Sequence, residues 1–279
     1  MSGASGTPRR GIWILVVLCA LAACSAEPPS SAPSAKPQPI GIVAIGHSGL
    51  TGEGTAEPTA DNSWATGTNP KVNSIYLRLT AANPEHKDHV ANTASGGAHA
   101  SELQSQAERA LTQVTAPALV IIATIDNDIR CDGTDQDHVA EFGQSVRAAL
   151  NAITQKSPDS RILVVGQAGR PDPAFVRKLV SHTPNAKAAM TGSGICDFYN
   201  PAGELVPAHF QALTAIIEAY EAEQARVCGE FQHCRTDGGV RAAYQDKLQN
   251  LGPDWSHLNT TGQAEQATII WPVVQDLLN

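Results

Sequence analysis

Eight consecutive residues, Ala118-Leu119-Val120-Ile121-Ile122-Ala123-Thr124-Ile125, offer water almost nothing on either side. A strand with one wet face alternates polar and apolar residues, whereas a β-branched run that is apolar throughout belongs inside a parallel sheet covered by helices. A second run, Ile42-Val43-Ala44-Ile45, breaks at once into Gly46-His47-Ser48-Gly49. It reads as a buried strand delivering one hydroxyl to a tight turn at its carboxyl end.

Taken in order, Pro39 to Ile45 is the first strand, His89 to Asn92 a short one, and Arg161 to Gly166 another interior strand. Cys228 to Asp237 reads as a weak edge strand stapled by its own cysteines. Between the strands lie segments of helical spacing: Val72 to Leu79, Ser101 to Val114, the face Val139, Phe142, Val146, Leu150 and Ile153, then Ala174 to Val180 and Leu205 to Val227. Gly239 to Asn250 also looks helical. Thr260 with Gln263 matches a capping box opening a last helix that buries Ala267, Ile270, Trp271, Val274 and Leu278. Strands alternating with amphipathic helices indicate a parallel sheet covered on both faces, whose site lies beyond the carboxyl ends of the strands.

The amino terminus is of another kind. Arg9 and Arg10 precede the short apolar run from Ile12 to Ala23, the pattern of a secretory leader over residues 1–23, too short for a comfortable membrane span. Leu21-Ala22-Ala23-Cys24 resembles a bacterial lipobox, which implies cleavage before Cys24 and a lipid anchor on its sulfur. Residues 24–38, rich in proline, serine and alanine, cannot bury enough apolar surface to fold and read as a tether. About 240 residues remain for one domain, 39–279, because no second linker or internal repeat interrupts them. The expected location is therefore the outer face of the cell membrane.

The formal charge of −8 becomes more negative when the two leader arginines leave, and no basic stripe is present, so nucleic acid is not an expected partner. Cys131, Cys196, Cys228 and Cys234 form an even set in an exported chain, which suggests two disulfides with three possible connectivities. The pairing adopted is Cys131 with Cys196 and Cys228 with Cys234. Zinc is the rival reading, but no Cys-x-x-Cys pair exists. His86 and His89 lack a nearby third ligand and read as a solvated turn, and Trp64 suits a pocket wall or the core equally.

A serine hydroxyl needs a base to take its proton and an acid to orient that base. Ser48, His257 and Asp254 can fill these roles. The amides of Ser48 and Gly97 and the side chain of Asn127 can donate to a developing oxyanion. In their order, these pieces resemble the GDSL or SGNH hydrolase family across nearly the whole folded part. Gly46-His47-Ser48 corresponds to the family's Gly-Asp-Ser, Asn92-Thr93-Ala94-Ser95-Gly96-Gly97-Ala98 to its glycine block, Ile125-Asp126-Asn127-Asp128 to Gly-x-Asn-Asp, and Asp254-Trp255-Ser256-His257 to Asp-x-x-His. His47 and Ile125 depart from the pattern without removing a catalytic atom.

The resemblance implies a flavodoxin-like three-layer α/β/α sandwich with a five-stranded parallel sheet, and hydrolysis of glycan, lipid or small-molecule esters without metal or cofactor. The catalytic residues would be Ser48, His257 and Asp254, with Ser48, Gly97 and Asn127 forming the oxyanion hole. A monomer is expected. Few aromatic residues and no long apolar lid favour short or water-soluble acyl groups. Acyl transfer to envelope sugars would use the same residues, and an inert binding lipoprotein is the alternative from another class.

Overall fold

The computed structural model describes residues 38–279. The leader, Cys24 and all of the tether but its last residue lie outside the described residues. Five strands, β1 (Ile42–Gly46), β2 (Val90–Asn92), β3 (Leu119–Ala123), β4 (Arg161–Val165) and β5 (Cys234–Thr236), form one sheet in the order β2-β1-β3-β4-β5. Every pairing is parallel, with Ile42 opposite Leu119 and Leu119 opposite Arg161 at the start of the central strands. β1, β3 and the last four residues of β4 are buried, as strands apolar on both faces require.

Seven α-helices lie among the described residues: α1 (Ile75–Ala82), α2 (Leu103–Gln113), α3 (Asp135–Lys156), α4 (Pro173–His182), α5 (Pro184–Ala189), α6 (Pro207–Cys228) and α7 (Thr260–Leu278). Alternation along the strands sends successive side chains to opposite faces. Val43, Ile45, Val120, Ile122, Ile162 and Val164 pack with Leu103 and Ala107 of α2, Val146 and Leu150 of α3, and Tyr220 of α6. Ile42, Ala44, Ile121, Leu163 and Val165 pack on the other face with Ile75 and Leu79 of α1 and Ile270 and Val274 of α7. The result is the expected three-layer α/β/α sandwich. Truncating a fully buried member such as Ile121 to alanine should cost about 2–5 kcal/mol, because the sheet cannot collapse into the space left behind.

Several boundaries differ from the sequence reading. The first strand begins at Ile42, not Pro39, and the third stops at Ala123 because the chain turns through Ile125 at φ +106°. Residues 239–247 are turns and irregular chain, and only Leu248–Asn250 form a short 3-10 turn. The Asp237 carboxylate accepts from the amides of Gly239 and Arg241, fixing a turn where the apolar spacing suggested a helix. The final helix is capped by Asn259, whose side chain accepts from Thr261 and Gly262, and Gln263 instead accepts from the Trp64 amide. Cys228 ends α6, so the edge strand is shorter than expected, and α5 has no counterpart in the sequence reading.

The cysteines pair as adopted, Cys131 with Cys196 and Cys228 with Cys234. Trp64 is fully buried in the core and donates from its indole to the Gly49 carbonyl at 2.9 Å. His86 accepts from the Gly41 amide at 2.8 Å, a structural role rather than a free turn. Among the described residues, no helix is long and apolar enough to cross a membrane.

Candidate active site

β1 delivers Ser48 to the carboxyl edge of the sheet. Gly46, at φ +137°, lies so close to β3 that an added Cβ would stand 1.7 Å from the Ala123 carbonyl oxygen, so only glycine fits. Its amide donates to Gln106 Oε1 at 2.6 Å, and Gln106 Nε2 donates back to its carbonyl at 3.0 Å. Gln106, fully buried on α2, thus clamps the strand end ahead of the Ser48 turn.

Ser48 opens a single 3-10 turn, Ser48–Leu50, and His47 caps it. His47 Nδ1 accepts from the Gly49 amide at 3.0 Å, so the neutral ring carries its proton on Nε2. The ring is 3 % exposed. Burial, then Arg241 and His257, pull its pKa down against the opposing attraction of Asp126, whose Oδ2 lies 3.6 Å away. An acceptor is what the turn requires, and histidine supplies one where the family pattern has aspartate.

Opposite stands the loop between the Leu248–Asn250 turn and α7. The Gly252 amide donates to the His257 carbonyl at 2.7 Å, and Asp254 Oδ1 accepts from the amides of Ser256 and His257, each at 3.0 Å. The remaining oxygen, Asp254 Oδ2, lies 2.7 Å from His257 Nδ1. Partial burial works to raise the Asp254 pKa, but the donations from His257 and Ser256 outweigh it and hold the carboxyl below its usual range. His257 Nε2 lies 2.9 Å from Ser48 Oγ. Gly54 makes this approach possible, since a Cβ there would meet His257 Cβ at 2.6 Å.

The other two strand-end loops are tied together. Asn127 Nδ2 donates to the Ala98 carbonyl at 3.0 Å, and the Asp128 carboxylate accepts from the Ala100 amide and the Thr124 hydroxyl. Gly97 takes φ +74° with open space around it. Ile125, where the family pattern has glycine, holds φ +106° with its side chain fully buried in the core, which opposes the strain of that backbone conformation. The sequence-derived residues Ser48, Gly97, Asn127 and His257 all line one cleft of about 610 Å³. Asp254 supports it from behind His257.

The sequence reading did not find Gln106, Arg241, Glu53 or Asp246. Arg241 is 5 % exposed, donating to the Gly166 carbonyl and to Gln266 Oε1, with its guanidinium over the Trp64 ring. No local pattern marks any of these, because each matters through partners distant in sequence. Among the described residues, no group of three or more histidine, cysteine, aspartate or glutamate side chains could hold a metal ion, and the four cysteines are joined in disulfides. Chemically, a hydroxyl bonded to an imidazole whose far nitrogen donates to a carboxylate can surrender its proton as it attacks an electrophile.

Residues 42–270 match the family model described as GDSL-like lipase/acylhydrolase. Among solved structures, the chain is similar to the lipase Lip_vut3 from a goat rumen metagenome, at 11% identity over 85% of this chain and 97% of that one, with a TM-score of 0.53. It is also similar to LAE5, an α/β hydrolase enzyme from the metagenome of Lake Arreo, at 14% identity over 87% and 97% of the two chains, with a TM-score of 0.50. At these identities the likeness is one of fold. No curated protein matches the sequence.

Proposed function

This chain belongs to the GDSL-like lipase/acylhydrolase family and is a hydrolase acting on ester bonds; from that premise we propose that it works as a serine esterase through Ser48, His257 and Asp254, anchored outside the cytoplasmic membrane at Cys24. The observation that carries the catalytic assignment is the unbroken chain of contacts: Ser48 Oγ to His257 Nε2 at 2.9 Å, and His257 Nδ1 to Asp254 Oδ2 at 2.7 Å.

The reaction follows from that chain. His257 Nε2 takes the Ser48 proton as Oγ bonds to the ester carbonyl carbon, and the carbonyl π electrons move onto oxygen. The amides of Ser48 and Gly97 and the Asn127 side chain donate to that oxyanion. As the carbonyl re-forms, the bond to the alcohol oxygen breaks and the imidazolium hands it the proton. Water then repeats the sequence on the acyl-enzyme, losing its proton to His257 and releasing the acid and free Ser48. Asp254 keeps the proton of His257 on Nδ1 and stabilises the imidazolium in both halves.

The polar cleft lining, with His47, Glu53, Asp126 and Arg241 beside Ser48, supports small or water-soluble esters over bulk lipid. The leader, lipobox-like Leu21-Ala22-Ala23-Cys24 and tether support export and anchoring. Hydrolysis of a short-chain ester by the wild type, Ser48→Ala and His257→Ala tests the catalytic part. Both variants should fold normally and lose turnover by orders of magnitude, and a folded His257→Ala enzyme of undiminished rate would remove the base from the scheme. Mass spectrometry of the membrane-bound protein should find the mature amino terminus at Cys24 carrying a diacylglyceryl group, and an unmodified Cys24 would refute the anchor.

A further inference from the structure

The charges in the cleft are unbalanced in their commitments. Three carboxylates, Glu53, Asp126 and Asp246, and one guanidinium, Arg241, line it. Arg241 is buried and engaged with Gly166 and Gln266, and Asp126 faces the buried pair His47 and Arg241. Glu53 and Asp246 are differently placed. Among the described residues, neither carboxylate receives a hydrogen bond of 3.5 Å or less. Glu53 Oε2 lies 3.9 Å from His257 Nε2 and 3.0 Å from where a Cβ on Gly96 would stand, so it overhangs the reacting atoms. Asp246 is partly buried beside Gly169, and burial first, then Asp172, push its pKa up to about 6.

An anionic ester entering this cleft would meet two unneutralised carboxylates and no uncommitted cation. A cationic ester would satisfy both, and the cleft also presents the aromatic side chains of Phe175 and Trp255, whose ring faces attract cations. With Arg241 held by Gly166 and Gln266 and facing Asp126, Glu53 and Asp246 set the sign of the field that an entering ligand meets. The effect reaches the chemistry too. A carboxylate beside His257 favours the imidazolium of the transition state and opposes the oxyanion forming near Gly97, and a substrate cation near Glu53 would offset both effects.

We propose that Glu53 and Asp246 make this cleft selective for charge, ranking esters that carry a cationic group above neutral esters and neutral esters above anionic ones. The inference rests on the esterase reading and names the substrate class of that same site. A matched set of thioacetates tests it at neutral pH and low ionic strength: the 2-(trimethylammonio)ethyl ester, its uncharged 3,3-dimethylbutyl isostere and the 2-carboxyethyl ester. The expected ratio of kcat/KM between the cationic and anionic members is about tenfold or more, as for charges several ångströms apart in a partly screened site. Glu53→Gln and Asp246→Asn should each reduce that ratio by about threefold or more, and added salt should compress it. A wild-type ratio within about twofold of unity, or a ratio unmoved in both variants, would overturn the proposal.

Failure of the esterase reading is separable. If no member turns over, binding of choline and of propionate, followed by shifts of cleft amide resonances, measures the same preference without chemistry. Tighter binding of choline that weakens in both variants would sustain the charge selectivity, whereas equal binding of the two ions would refute it.

Discussion

Asp246→Asn should stabilise the protein at neutral pH and leave it nearly unchanged in acid. The Asp246 carboxyl is partly buried with no donor among the described residues, and it titrates at about 6 where the ordinary value is 3.8. About two pKa units at 1.36 kcal/mol each give an upper bound of roughly 3 kcal/mol. The solvent still reaching the group reduces this to about 2 kcal/mol. The sign is that of a carboxylate disfavoured by folding. With the folded pKa raised, the protonated form is the one the fold prefers, so stability is fully present below about 3.8 and is lost as pH rises through about 6. Asparagine keeps the shape without the charge. Urea unfolding with both disulfides intact, at pH 7.5 and pH 3.5, reads the difference. At pH 7.5 the variant should gain about 2 kcal/mol, or roughly 4–8 °C in Tm for a domain of this size, and at pH 3.5 almost nothing. A variant no more stable than the wild type at pH 7.5, or equally stabilised at both pH values, would show that the Asp246 charge does not oppose folding.

The other expectations rest on different parts of the structure. Asn127→Ala should lower kcat by about a hundredfold or more with little change in KM if its side chain binds the oxyanion; a fall in stability with unchanged kcat would reduce Asn127 to holding the Ala98 carbonyl. Ile125→Gly sets relief of about 1–3 kcal/mol of backbone strain against about 2–5 kcal/mol for emptying a fully buried site. The cavity should prevail, giving net destabilisation in chemical denaturation, and a more stable variant would contradict that weighing. Removing the Cys131–Cys196 bridge, which spans 65 residues, should cost about 4 kcal/mol, against about 2 kcal/mol for the 6-residue span of Cys228–Cys234. Equal losses in urea denaturation of the two cysteine-to-serine pairs would reject the loop-entropy estimate.

What the sequence made legible was whatever its local pattern determines. β1, β3 and β4 could be read because both faces of each are apolar, and the long helices because their buried faces repeat with helical spacing. Asp254 and His257 could be paired because three residues of a tight loop bring carboxylate to imidazole. The segment 239–250 misled because its apolar spacing imitates a helix while the controlling contacts come from Asp237. Thr260 likewise carried a capping pattern, yet Asn259, one residue earlier, is the cap.

His47 was visible only as a departure. Its role, an uncharged acceptor beneath the Ser48 turn, depends on burial that no neighbouring residue reports. Gln106 grips Gly46 across 60 positions and Arg241 reaches Gly166 across 75, so neither leaves a local signature. The two free carboxylates become conspicuous only once the cleft and the commitments of Arg241 are known.

In the proposed reaction Ser48 is a nucleophile activated by His257. A fluorophosphonate reagent followed by mass spectrometry of the digested protein tests it most directly. One phosphonyl group is expected on the peptide containing Ser48, absent in Ser48→Ala and slowed by orders of magnitude in His257→Ala. A correctly folded wild-type protein that takes up no label, or takes it up on another residue, would contradict it.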